Sequence, residues 1–244
     1  MKTRPVHRAI AALARGATAC ALAVFATSSA GVQNSASPGA SPYQRMAPLD
    51  EYLMPNAAEI ALARSAAPAA VSANATILTL TSQGYQSVAS GTNGFTCLVE
   101  RAWMSPFDSA EFWNPKIRGP VCYNPAASGS ILTYTLQRTK LALAGRTREQ
   151  MLAAVRDTVA HQGIPEPLAG AMSFMMSKDG YLADAVVHWH PHLMFHVPKA
   201  AAASWGANLP GSPVVLDDRL VPEPETIFMV PVARWSDETA APIM

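Results

Sequence analysis

Thr76-Ile77-Leu78-Thr79-Leu80-Thr81-Ser82-Gln83-Gly84-Tyr85-Gln86-Ser87-Val88-Ala89, followed by Gly91-Thr92-Asn93-Gly94-Phe95-Thr96-Cys97, decides the reading of the fold. Thr76 to Leu80 has strand composition, Gln83-Gly84 turns the chain, and Tyr85 to Ala89 alternates polar with apolar side chains. Asn93-Gly94 is a strong hairpin signal because both residues tolerate positive φ. With a third strand from Phe95 to Trp103, residues 75–103 read as a β-meander.

Outward from this core, Asn56 and Glu59 form a helix-start pair for a helix over 57–66. Residues 104–130, rich in Pro, Asn and aromatics, read as a long ordered loop. Ser130 to Ala144 places Leu132, Leu136 and Leu143 on one helical side, with a strand left open by its three threonines and Ile131, and Gly145 stops it. Thr147 with Gln150 caps a further helix whose apolar stripe is Met151, Leu152, Val155 and Val159. Strands follow at 171–177, 192–197 and 226–232, with a turn at Lys178-Asp179-Gly180. The sum is an α+β fold: an antiparallel sheet with helices packed on one side and one disulfide-pinned long loop, in a single domain over 49–244.

The chain starts as an export signal does. Lys2, Arg4 and Arg8 precede an apolar run ending at Phe25, and Ala26-Thr27-Ser28-Ser29-Ala30 supplies small residues, so residues 1–30 are expected to be a signal peptide cut near Ala30. Residues 31–48, with two Ser-Pro steps, read as a flexible leader. The expected address is the periplasm or the extracellular space. Removing residues 1–30 takes away four of 18 basic residues and none of 17 acidic ones, leaving a net charge of −3. Neither nucleic acid nor an anionic membrane surface is an implied partner, and no later stretch has the length of a membrane span. In an oxidising compartment Cys97 and Cys122 are expected to be bonded.

Four of six histidines fall in His188-Trp189-His190-Pro191-His192-Leu193-Met194-Phe195-His196. All four occupy even positions, one side of an extended chain. On a strand, Leu193, Phe195 and Val197 would pack against the helices, turning His192, Met194 and His196 toward solvent, a second layer or a cleft. Imidazoles two apart can converge on an ion, and Met172, Met175, Met176 and Met194 would bias the choice toward copper over zinc. The sharpest expectation is therefore copper or zinc held by His188, His190, His192 and His196 with Met194. The alternative is a metal-free binding module for a small ligand or peptide using Trp189. A third is an enzyme with His192 as acid-base, for which Asp184 is the nearest carboxylate in sequence; no catalytic residue is otherwise assigned, and the balance leans against an enzyme. Gly-x-Ser-x-Gly, phosphate-loop and dinucleotide fingerprints are lacking. Asp217-Asp218, Glu223 and Glu225 are separated by Pro222 and Pro224 and read as an exposed linker.

Asn93-Gly94-Phe95-Thr96-Cys97, Cys122, Pro191-His192-Leu193-Met194 with Val197-Pro198, and Met229-Val230-Pro231-Val232 resemble landmarks of exported bacterial proteins of unknown function, which carry Trp where this chain has Phe95. The resemblance spans most of the expected mature chain and brings no activity with it. Of the four histidines only His192 falls on a shared landmark.

Overall fold

Eight strands form one sheet in the computed structural model, which describes residues 41–184, 189–216 and 222–242. They are β1 (Thr76–Thr81), β2 (Gly84–Ala89), β3 (Thr96–Glu100), β4 (Gly119–Tyr123), β5 (Met172–Met175), β6 (His192–Pro198), β7 (Val214–Val215) and β8 (Glu225–Pro231). Their spatial order is β2-β1-β3-β4-β5-β6-β8-β7. Five α-helices among the described residues accompany them: α1 (Asn56–Arg64), α2 (Ala69–Ser72), α3 (Pro125–Ser128), α4 (Leu132–Leu143) and α5 (Arg148–Ala160). The α+β class stands. The strands at 171–177 and 192–197 are neighbours, as the methionine argument required. The signal segment 1–30 lies outside the described residues. Of the leader, residues 41–48 are held to the domain: Tyr43 donates to Asp184 at 2.5 Å, and the Ala47 amide donates to the Tyr52 hydroxyl.

The meander is corrected. β1 and β2 form the expected antiparallel pair, but β3 pairs with β1, in parallel, instead of with β2. The cause lies in residues 90–95. β2 ends beside Ile77, and the chain then crosses the start of β1 so closely that a Cβ on Gly91 would sit 2.3 Å from the Thr76 nitrogen. Asn93 anchors the crossing, its amide donating to the Val71 carbonyl and its oxygen accepting from Phe95. Gly94 supplies the positive φ of 77°. The same Asn-Gly chemistry that makes hairpins here serves a crossover. β2 is mostly exposed and suits an edge, whereas β3 is almost wholly buried.

The segment 104–130 is also corrected, since it contains β4, all five residues of which are buried. Cys122 lies directly opposite Cys97 in the β3–β4 register, and the two are bonded. The bridge therefore staples the two adjacent strands that flank the loop 105–118, and that loop buries Phe107, Phe112, Trp113 and Ile117. With 25 residues of separation, chain-entropy reasoning gives the bridge about 3 kcal/mol. Reduction is expected to lower the urea midpoint accordingly; an unchanged midpoint after verified reduction would contradict it.

Alternation along β3 divides the core. Leu98 joins Val121, Tyr123, Tyr134 and Met151 on the face covered by α4 and α5. Cys97, Val99 and Cys122 join Ile77 and Ala63 on the opposite face, covered by α1. The two long helices thus share a side as expected, while the short α1 takes the other. α5 starts with the predicted capping box of Thr147 and Gln150. At α1 the expected pairing fails: Asn56 is already helical, and Glu59 turns inward to accept from the Leu80 amide and from Arg101. α4 carries a larger surprise. Leu136 is 40% exposed, and the buried side is Tyr134, Thr135, Arg138, Thr139 and Ala142. A helix that turns hydroxyls and a guanidinium toward a sheet must meet polar partners there.

Candidate functional site

Those partners are on the sheet. Register places Tyr123, Met175, Met194, His196, Glu225, Ile227 and Met229 on the face of β4, β5, β6 and β8 that looks at α4. Sheet and helix do not close completely, and a cavity of about 310 Å3 remains. Its walls are mainly apolar, with Met104, Met175, Met194 and Met229 prominent, and its polar groups are Glu100, Tyr123, Tyr134, Thr135, Arg138, His196, Glu223 just before β8 and Glu225 at its start.

Each polar group is held by a neighbour. Arg138 makes a two-armed ion pair with Glu223, at 2.6 and 2.8 Å, with both side chains at most 3% exposed. Its remaining amine donates to the carbonyls of Trp103, Met104 and Ser105, and the guanidinium lies 4.3 Å above the Phe107 ring centre. Glu225 Oε2 accepts from His196 Nδ1 at 2.6 Å, and His196 Nε2 bonds the Ser173 hydroxyl at 2.9 Å. The exposed linker expected for both glutamates is corrected. Pro222 and Pro224 instead lead a buried turn that delivers Glu223 and Glu225 to the core, where they are 2% and 8% exposed. Glu100 differs. Its Oε1 accepts from the Tyr123 hydroxyl at 2.6 Å and from Thr135 at 3.0 Å, and no basic side chain among the described residues pairs with it. Burial raises its pKa above the usual carboxylate value, against the two hydroxyl donors. Burial, with Glu100 adjacent, also lifts the Tyr123 hydroxyl well above its ordinary range.

The histidine segment has the expected parity but not the expected environment. Its Met194 and His196 face is the one under α4, whereas Phe195 on the other face packs on Phe228. His196 has both ring nitrogens engaged, which removes it from the four-histidine metal set. His188 lies outside the described residues. His192 Nδ1 donates to the His190 carbonyl at 2.8 Å, and burial lowers its pKa against that bond. Among the described residues, no group of three or more His, Cys, Asp or Glu side chains could hold a metal ion. Met194 and Met175 line the cavity, while Met172 points to the opposite face. Trp189 does not line the cavity; it packs edge-on against Trp235 and His192 and over Gly180, with its indole nitrogen buried and unpartnered.

The acid-base assignment moves as well. Among the described residues His192 has no carboxylate partner, and Asp184 instead binds Tyr43, Tyr181, Asn114 and Lys116 at the protein's exposed edge. The histidine with a carboxylate is His196, and Ser173-His196-Glu225 follows the order of a nucleophile relay. Ser173 is fully buried and not part of the cavity lining, so its hydroxyl has no approach for a substrate. In this arrangement the relay acts as a hydrogen-bonded floor, joining β5, β6 and β8. Spacing gave no route to these partners; the one available signal was the polar residues at core positions of α4.

No helix among the described residues is long and apolar enough to cross a membrane. No protein-family model, curated protein or solved structure matches the chain.

Proposed function

We propose that the protein is an exported binding module that takes a small, largely apolar organic ligand into the cavity between α4 and the sheet. The observation that carries this is a cavity of about 310 Å3 within the size range of ligand sites, apolar in its walls and with a few fixed polar groups at its base. Four methionines in the lining suit a ligand of irregular shape, because the unbranched thioether chain repacks at low cost. The basic-apolar-small order of residues 1–30 and the Cys97–Cys122 bond support the exported address. The metal expectation has less support: without His196, its described members are His190, His192 and Met194, and Met194 belongs to the cavity wall.

The test uses N-phenyl-1-naphthylamine, a neutral dye that brightens in apolar surroundings. Saturable enhancement is expected, with Kd on the order of 10 μM for a ligand this small. Met229→Trp, at a half-exposed position of the lining, should abolish it while leaving the unfolding midpoint nearly unchanged. No saturable signal, or equal signal in the variant, would reject the reading.

A further inference from the structure

We infer that the ligand carries a protonated amine on its apolar body and that the Glu100 carboxylate is its partner; this rests on the cavity being a ligand site. The argument is one of charge matching among the lining residues. Glu223 is neutralised by Arg138, and Glu225 is bonded to His196, but Glu100 has only hydroxyl donors, both on Oε1. Its other oxygen has no hydrogen bond from a described residue, yet it is not a fully buried orphan, since Glu100 is partly exposed and lines the cavity. Burial raises its pKa despite the two hydroxyl donors and the more distant charges of Arg138 and His196, neither of which bonds it, as expected of a carboxyl desolvated without a directly bonded cation. An incoming ammonium supplies that countercharge and a donor for the open oxygen.

The same geometry argues against an anionic ligand such as a fatty acid. The one guanidinium in the lining has its donors committed to Glu223 and three carbonyls, and its face to Phe107. Among the described lining residues, an anion would meet Glu100 with no free cation beside it. A neutral alcohol would fill the apolar walls but leave the carboxylate uncompensated.

Three eight-carbon probes separate these cases: n-octylammonium, 1-octanol and octanoate, each titrated as a competitor of the naphthylamine dye. In the unsubstituted protein octylammonium is expected to bind about tenfold or more tighter than 1-octanol, as a charge-assisted hydrogen bond allows, with octanoate weakest. Glu100→Gln keeps an oxygen for Tyr123 and Thr135 and removes the charge. It should retain octanol binding and bring octylammonium to within about twofold of it. Octanol binding as tightly as octylammonium in the unsubstituted protein, or a preference that survives Glu100→Gln, would overturn the amine assignment while leaving the cavity a ligand site. Failure of the dye itself to bind would remove both readings. If Glu100→Gln does not fold, the ranking in the unsubstituted protein decides alone.

Discussion

Glu223→Ala is expected to cost about 3–5 kcal/mol of folding stability, a large share of the 5–15 kcal/mol typical of a domain. The reason is what remains. Arg138 is 2% exposed, and its Nε and one amine point at Glu223 alone. Deleting the carboxylate leaves a guanidinium in a nearly dry site with half its donors unanswered, which costs more than the ion pair contributes over an apolar substitute. Arg138→Leu combined with Glu223→Leu removes the stranded charge, so the double variant should be more stable than Glu223→Ala. It should not regain full stability, because the carbonyls of Trp103, Met104 and Ser105 lose their shared donor. Equilibrium urea unfolding measures all three. A single variant within about 1 kcal/mol of the unsubstituted protein, or a double variant no better than the single, would show that the pair is not the anchor of the cavity rim.

What the sequence revealed and what it hid follow from how far apart the interacting residues lie. Strands β1, β2, β3, β5, β6 and β8 are legible in local sequence, β4 within the Pro-rich segment 104–130 is not, and the Cys97–Cys122 bond is legible from the expected compartment and the two cysteines outside the expected signal segment. The capping box joins Thr147 to Gln150, only three positions on, and is legible locally. The order of the strands was not legible, because it depends on Gly91 pressing against the backbone of Thr76 and on Asn93 reaching back to Val71. The inward side of α4 was missed because Leu132, Leu136 and Leu143 make a plausible apolar stripe, and the opposing polar side is explained only by Glu223, 85 residues away. The histidines illustrate both outcomes. Parity correctly put Met194 and His196 on one face, but which face meets a helix is set by α4, and the charge beside His196 comes from a proline-flanked glutamate that looked like linker.

Glu59→Ala is expected to cost a similar 3–5 kcal/mol, for a reason built into the β1–β3 junction. These strands pair only at Thr76–Thr96 and Ile77–Cys97. Beyond that point the Leu80 amide donates to Glu59 Oε1 at 3.0 Å, and the Val99 carbonyl accepts from Arg101 and from the Tyr85 hydroxyl. Arg101 and Glu59 are themselves joined at 2.8 Å, and Arg101 Nε donates to the Tyr52 carbonyl. A buried ion pair thus replaces the missing rungs of the ladder and ties α1 to the two strands. Alanine at 59 strands a guanidinium that is 1% exposed and leaves the Leu80 amide without its acceptor. Glu59→Gln preserves that acceptor and removes only the charge, so a smaller loss of about 1.5–3 kcal/mol is expected. Urea unfolding gives the two losses, and hydrogen exchange at the Leu80 amide gives the local one. If Glu59→Gln loses as much as Glu59→Ala while Leu80 stays protected, charge compensation of Arg101 carries the whole effect. If alanine loses less than about 1 kcal/mol, the two strands are held by their apolar faces, and the ion pair is not what joins them.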